Sequence, residues 1–398
     1  MTTRTVRRTA AAGGAGVAVL LTLAHATNDA FANILPVLLP TLQARFGLGE
    51  AALAGFVALI SFSSNVLQAF AGALADRWGR RRTAALGLII GSALMSLLPV
   101  VPTVWALFLV LAIGGLGSAI FHPAAASMAR QAGGRRKGLA IGLFGSGGPL
   151  GSAVMPVVAL WFLRSYGPEA FPALSLVGLA FGVALLVRAP RQAKPDPDRR
   201  PKIFDRALFA GPVGMLAGVG ILRAVAYISF LNAMPLYLVH VRGFAPDAQI
   251  LGWTLAAYQV AAGVGLVAAG ALDARVGRIR LIAGSMLIAM PLLVATLVAP
   301  PGTVAFYVLV AAAGLATNAP IPLLVVSAQD LAPHAVATAS GMLMGFTWGV
   351  AGVAYVGFGA LQELIGIAPA LVVAYAFLAP AAWLAVRILR RHAPASSS

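Results

Sequence analysis

Long apolar stretches separated by short polar ones dominate this chain. Twelve of them approach or exceed the roughly 20 residues that an α-helix needs to cross a hydrocarbon layer about 30 Å thick. Because no water in a bilayer core can satisfy the backbone, each stretch is predicted to be a helix. The predicted helices cover residues 15–40, 50–75, 83–101, 104–128, 138–163, 169–189, 209–240, 248–272, 279–299, 303–330, 334–361 and 366–389.

The basic residues follow the predicted topology. With a cytoplasmic N-terminus, 24 of the 28 Lys and Arg residues fall on the cytoplasmic side, and only Arg45, Arg164 and Arg242 fall on the other. Arg223 is the remaining one and lies inside the seventh predicted helix. This asymmetry is the positive-inside rule, so both termini are predicted to be cytoplasmic.

Composition narrows the class of protein. Hydrophobic residues make up 60% of the chain and charged residues 10%, where about 25% charged is usual in soluble domains. The net charge of +17 is explained by topology, so no nucleic-acid partner is predicted. The chain has no cysteine and no nucleotide-binding loop, metal-ligand cluster or Ser/His/Asp set. Neither enzymatic activity, nor a metal, nor a cofactor is predicted.

The sequence contains an internal repeat, which indicates two related halves. A shift of 198 positions places Gly72, Leu74, Arg77, Gly79, Arg80 and Arg82 on Gly270, Leu272, Arg275, Gly277, Arg278 and Arg280. Two six-helix bundles around a central path are predicted, at 15–189 and 209–389. The segment 190–208 is rich in Pro, Asp, Arg and Lys and is predicted to be a cytoplasmic linker. Residues 1–14 and 390–398 are predicted to be cytoplasmic tails.

The stretch from Gly72 to Arg82 resembles the signature loop of the major facilitator superfamily, whose members are transporters of two six-helix halves. Glycines permit a tight turn between two helices, and arginines suit cytoplasm and lipid phosphate. The resemblance implies that this loop latches the cytoplasmic side of an outward-open transporter; the alternative is an ordinary basic turn. The residues of this predicted gate motif are Gly72, Asp76, Arg77, Gly79, Arg80 and Arg81.

The first predicted helix carries His25, Asn28 and Asp29 near mid-membrane. His25 and Asp29 are four residues apart and share one helix face. Ionisable residues at such depth are costly and mark candidate functional sites. Either group can therefore carry a transported proton, although a static hydrogen-bonded pair would also explain them.

The seventh predicted helix carries Arg223 midway along its length, and guanidinium binds carboxylate or phosphate through two parallel hydrogen bonds. Arg223 is predicted to bind an anionic or zwitterionic substrate or to form an internal gate. Permanent pairing with Asp29 or with backbone carbonyls is the alternative. Further predicted substrate-binding residues, each also compatible with plain packing, are Asn28, Tyr227, Asn232, Tyr258, Gln259, Asn318 and Trp348. Asn318 precedes Pro320 and Pro322, a pair that frees backbone carbonyls.

Residues of the fourth and fifth predicted helices narrow the resemblance from the whole superfamily to one type of facilitator. Phe121-His122-Pro123 and the glycine-rich run from Gly138 to Pro156, taken with His25 and Asn28-Asp29, resemble the fosmidomycin-resistance type of facilitator, a group of bacterial efflux proteins. That group has an acidic residue after the His-Pro pair, where this chain has Ala124. If that acid takes part in proton exchange in the group, the resemblance implies either that His122, Asp29 and His25 carry the exchange in this chain or that the coupling differs. For His122, a packed histidine beside the proline kink is the alternative, and for the glycines it is close helix packing.

These observations predict a secondary active transporter that works by alternating access. Proton-coupled export of a small drug or metabolite, anionic compounds included, is favoured by the resemblance. Proton-coupled uptake of an organic anion or nutrient is the alternative, since fold does not fix function. The predicted partners are a small-molecule substrate and the lipid bilayer, the proton gradient is the driving force, and the predicted form is a monomer in the bacterial inner membrane.

Overall fold

A computed structural model describes residues 3–68, 78–133, 137–189, 206–333 and 335–392. In these ranges the regular structure is helical throughout, with no β-strand. The α-helices are α1 Thr3–Ala32, α2 Leu35–Phe46, α3 Glu50–Ser61, α4 Arg80–Met95, α5 Val104–Ala132, α6 Lys137–Tyr166, α7 Ser175–Arg188, α8 Arg206–Ala210, α9 Pro212–His240, α10 Gln249–Val276, α11 Arg278–Val298, α12 Val304–Asn318, α13 Pro320–Leu331, α14 Val336–Gly341, α15 Thr347–Ile365, α16 Ile367–Ala376 and α17 Leu378–Arg391. Short π-helical turns cover Phe62–Val66 and Met342–Phe346, and a 3₁₀-helix covers Pro168–Leu174.

Nine helical spans within the described residues are long and apolar enough to cross a membrane, from Val104–Ala132 to Ile367–Arg391. They correspond to the fourth to twelfth predicted helices. Their outward faces carry large apolar residues, such as Trp105, which is 79% exposed, and Val304, which is 81% exposed. Lipid, and not water, is the solvent that suits such a surface. The total of twelve stays a prediction, because the second predicted helix runs into residues outside the described ranges.

The first predicted helix differs from the expectation of one uninterrupted helix at 15–40. It begins at Thr3, ends at Ala32 and resumes at Leu35, after a turn in which the Ile34 N–H bonds to the Phe31 carbonyl. Pro36 has no N–H to donate and is well tolerated in the first turn of a new helix, which explains the restart. The Asn33 side chain closes the break by donating to the Asp29 carbonyl oxygen at 3.0 Å.

The chain packs into two compact units. The first comprises residues 1–35 and 67–200, and the second comprises 36–66 and 201–398. The segment after the break at Pro36 thus packs with the C-terminal helices: the Ala51 N–H donates to Glu363 Oε1 at 3.0 Å. Gly359 permits this approach, because an added methyl group would meet the Glu50 carbonyl oxygen at 2.8 Å. Residues 36–66 therefore precede most of the first unit in the chain but pack with the second. The division into bundles 15–189 and 209–389 stays a prediction.

Two glycines related by the 198-residue shift have the same backbone conformation. Gly79 has φ 89° and ψ 127°, and Gly277 has φ 90° and ψ 133°. Each precedes a helix that begins with arginine, Arg80 or Arg278, and each carbonyl accepts the N–H four residues later. Positive φ strains residues that carry a Cβ, which explains why both positions hold glycine. The internal repeat inferred from the sequence is therefore visible in the backbone.

Candidate functional site

Two imidazoles flank one carboxylate inside the first unit. His25 Nε2 lies 3.3 Å from Asp29 Oδ2, and His122 Nε2 lies 3.1 Å from Asp29 Oδ1. We call these three residues the His-Asp cluster. His25 and Asp29 meet because they are one turn apart on α1, whereas His122 comes from α5. The structure thus brings together all three residues predicted to couple protons; their role stays a prediction.

The outer nitrogens of both imidazoles bond to backbone carbonyls. His25 Nδ1 lies 2.6 Å from the Phe144 carbonyl oxygen, and His122 Nδ1 lies 2.9 Å from the Ser118 carbonyl oxygen. A carbonyl only accepts, so both Nδ1 atoms must carry hydrogen. Both Nε2 atoms therefore face the carboxylate either as lone pairs or as the second N–H of an imidazolium. In the second case each imidazolium forms an ion pair with the Asp29 carboxylate.

Polar and aromatic neighbours hold the cluster in place. The Asn28 amide donates to Asp29 Oδ1 and to Ser118 Oγ, both at 3.0 Å. The His25 ring stacks on Phe144 with centroids 4.2 Å apart. Asn28, predicted to bind substrate, therefore lies with the His-Asp cluster. Ser118 and Phe144 were not predicted site residues: Ser118 could have been found one turn before His122, but no local signal marks the Phe144 carbonyl.

Glycines of α6 allow this helix to lie directly against the cluster. A methyl group on Gly148 would collide with the Asp29 carboxylate and meet His25 Cε1 at 3.1 Å. Methyl groups on Gly147 and Gly151 would collide with carbonyl oxygens of α1. Close packing therefore accounts for these glycines. Ala124, which follows the His122-Pro123 pair, is fully buried in an apolar core.

A second cluster surrounds Arg223 in the second unit. The guanidinium lies over the Trp348 ring at 4.7 Å and the Tyr227 ring at 5.8 Å, and Arg223 Nη1 donates a long 3.5 Å hydrogen bond to Asn318 Oδ1. The Tyr227 hydroxyl donates to Gln259 Oε1 at 2.9 Å. We call these five residues the arginine cluster. They come from α9, α10, α12 and α15, so only the tertiary structure brings them together.

Arg223 is only 2% exposed, yet no carboxylate lies within ion-pair distance among the described residues of its own unit. Cation–π contacts and one amide are weaker than the desolvation cost of a buried charge, which an anion can offset. Tyr227 and Trp348 are partly exposed, so the cluster is open on their side. The described partners of Arg223 within this unit are therefore an amide and two aromatic rings, and its role in binding substrate stays a prediction.

The remaining predicted substrate-binding residues lie apart from these direct contacts. Tyr258 is buried, stacks on Phe230 at 4.1 Å, and has its ring 5.8 Å from that of Tyr227. Asn232 donates to the Ile228 carbonyl on its own helix at 2.8 Å. Packing accounts for the described contacts of Asn232, whereas Tyr258 packs against the arginine cluster through the Tyr227 ring.

Half of the predicted gate motif lies outside the described residues, namely Gly72, Asp76 and Arg77. In the described half, Gly79 is the N-cap residue of α4, and Arg81 Nη1 donates to the Ala189 carbonyl oxygen at 3.4 Å. The repeat position Arg278 lies between Asp330 Oδ2 at 2.6 Å and Asp273 Oδ2 at 3.4 Å. Sequence reasoning found Arg278 through the repeat but missed Asp330, which is 52 residues away and shares no motif with it.

The helical units, their lipid-facing surfaces and their buried polar clusters define a multi-pass membrane protein of the transporter class. The family model described as Major Facilitator Superfamily matches residues 21–356, and the chain belongs to that superfamily. Its fold is the all-α major facilitator fold.

Relatives and a solved structure agree with this assignment. The chain is 26% identical over 348 residues to the fosmidomycin resistance protein of Escherichia coli K12, covering 85% of this chain and 84% of that one. It is 26% identical over 377 residues to the Bacillus subtilis 168 protein named "Uncharacterized MFS-type transporter YfnC", covering 91% and 90%. A bacterial homologue of the human lysosomal transporter Spinster superposes with TM-score 0.78 at 16% identity, covering 95% and 97%.

Proposed function

We propose that this protein is a proton-coupled exporter of small drugs or metabolites that works by alternating access. The His-Asp cluster carries the proposal: it combines one carboxylate and two imidazoles within hydrogen-bond distance, in a helix pair surrounded by apolar residues. Proton binding and release at such a cluster changes the charge held inside the membrane-spanning unit. A charge change of this kind can bias the equilibrium between two access states.

The arginine cluster is the proposed substrate site. A guanidinium with an amide and two aromatic rings suits a molecule with an anionic group next to a flat or apolar part. The absence of a carboxylate near Arg223 within the described part of its unit supports an anionic substrate. Under this proposal, the first unit handles protons and the second unit holds the substrate.

The export direction rests on the relative named as a resistance protein, and the following experiment tests direction and coupling together. Purified protein is reconstituted into vesicles with a pH-sensitive dye inside, and candidate anions are added outside. In vesicles with the cytoplasmic face outward, an inwardly acidic gradient should drive substrate into the lumen while protons leave. Symport of substrate and protons in the same direction would establish the uptake carrier instead. Substrate flux that is indifferent to pH would refute proton coupling.

Both termini and the linker are proposed to be cytoplasmic, in the inner membrane of a bacterium. The chain has no native cysteine, so labelling of a single introduced cysteine reports the location of that position alone. An impermeant maleimide added to intact cells should label Glu169→Cys, at the predicted external end of the sixth predicted helix, and should spare Asp196→Cys until the cells are opened. Labelling of Asp196→Cys from outside intact cells would overturn this topology.

A further inference from the structure

We propose that the His-Asp cluster also binds a divalent transition-metal ion of the zinc class. Its three side chains each offer one ligand atom, and these atoms all lie within 4.8 Å of one another. Two imidazole nitrogens and a carboxylate are the ligand types that zinc, cobalt and nickel prefer over magnesium or calcium. The inference rests on this geometry alone and not on the transport function proposed above.

The separations between ligand atoms approach those of a metal centre. Zinc bonds to nitrogen and carboxylate oxygen measure about 2.0–2.2 Å, so tetrahedral ligand atoms lie roughly 3.3–3.5 Å apart. His25 Nε2 lies 3.3 Å from Asp29 Oδ2, at the lower limit of that range, and His122 Nε2 lies 3.1 Å from the other carboxylate oxygen, Oδ1, slightly below it. A small inward movement of the two imidazoles would complete the ligand set.

The hydrogen bonds that the cluster makes to its surroundings follow the pattern found around histidine ligands of metal ions. Histidine ligands usually donate their second ring N–H to a carbonyl or carboxylate, which fixes the tautomer and ring orientation. Here both Nδ1 atoms bond to backbone carbonyls, those of Phe144 and Ser118, at 2.6 and 2.9 Å. Asp29 Oδ1 in turn accepts from Asn28 at 3.0 Å. Both Nε2 atoms therefore face the carboxylate, and in neutral imidazoles their lone pairs point to the place where a cation would contact the carboxylate oxygen as well.

One side of the cluster is accessible. The side chains of Asp29 and His122 are 19% and 25% exposed, whereas that of His25 is 9% exposed. An ion can approach from the exposed side and keep a water molecule as a further ligand. Because His25 and Asp29 lie on α1 and His122 lies on α5, a bound ion would tie these two helices together. Metal and protons would compete for the same nitrogen lone pairs.

The test measures metal binding to the purified full-length protein, without transport. The protein carries no polyhistidine tag, is stripped with chelator, and is titrated with Co²⁺ and then with Zn²⁺. One Co²⁺ per chain should give the intense visible bands of a four- or five-coordinate ion, and Zn²⁺ should displace it. His122→Gln, at the exposed edge of the cluster, should weaken Zn²⁺ binding by more than about 100-fold, since changes even outside the ligand set cost 10–100-fold.

His240→Gln is the matched control, because it removes a histidine from the second unit, where the ring bonds to Gln43. It should bind Zn²⁺ as the unmodified protein does. Melting temperatures measured with and without Zn²⁺ report folding, and the metal should raise that of His240→Gln but not that of His122→Gln. Failure of the unmodified protein to bind one equivalent, or equal affinity in His122→Gln, would overturn the proposal. Transport measurements enter neither outcome, so the proposed function can fail separately.

Discussion

Replacing Asp29 by Asn should abolish substrate accumulation driven by a pH gradient, reducing it to the level of protein-free vesicles. The amide has the volume of the carboxylate but cannot hold a negative charge between His25 Nε2 and His122 Nε2. An imidazolium formed on proton binding would then have no carboxylate partner within the cluster. Exchange of labelled for unlabelled substrate across equal pH should persist, because exchange requires the conformational change but no net proton movement.

Asp29→Glu is the control for this prediction, since it retains the carboxylate, and it should keep part of the gradient response. Melting temperature has to be measured on each variant, because a group that bonds to two helices also stabilises their packing. If Asp29→Asn is stable and still concentrates substrate along a pH gradient, the cluster does not couple protons. If exchange is lost together with accumulation in a stable protein, Asp29 acts in the conformational change or in substrate binding.

Replacing Arg223 by Met should weaken substrate binding by about 10- to 100-fold, the range expected when one charge-assisted hydrogen bond is lost. Methionine keeps much of the apolar contact with Trp348 and removes the charge together with its N–H donors. Arg223→Lys should recover part of the affinity, because an ammonium supplies the charge but not the parallel hydrogen bonds of guanidinium. Equilibrium binding of the substrate identified in the vesicle assay is the measurement.

The controls separate binding from folding. Asn232→Ala changes a residue whose described side-chain bond is to its own helix, and it should leave substrate affinity unchanged. An Arg223→Met protein that binds substrate normally would show that the charge has no part in recognition. An Arg223→Met protein that melts far below the unmodified protein in the absence of substrate would assign Arg223 to the structure of the second unit.

Much of the architecture could be predicted because a bilayer leaves few choices. Long apolar runs must form helices, and the nine described spans fall where the sequence placed helices four to twelve. The repeat was visible because a turn that needs positive φ admits little besides glycine, and this constraint acts on Gly79 and Gly277 directly. The break after Ala32 was missed, because the hydropathy of residues 15–40 is continuous and the role of Pro36 depends on which helices the next segment meets.

The sequence by itself determined that this is a helical membrane protein with repeated halves, and which polar side chains are buried at a cost. It placed His25 next to Asp29, because four residues along one helix fix their separation. Only the tertiary structure decided that His122, 93 positions beyond Asp29, reaches the same carboxylate, and that Asn28 also donates to Ser118 of α5. It also placed Trp348 over Arg223. Contacts between helices depend on packing. A small residue such as Gly148 shows that another helix can approach closely at that position, but it does not show which helix does so.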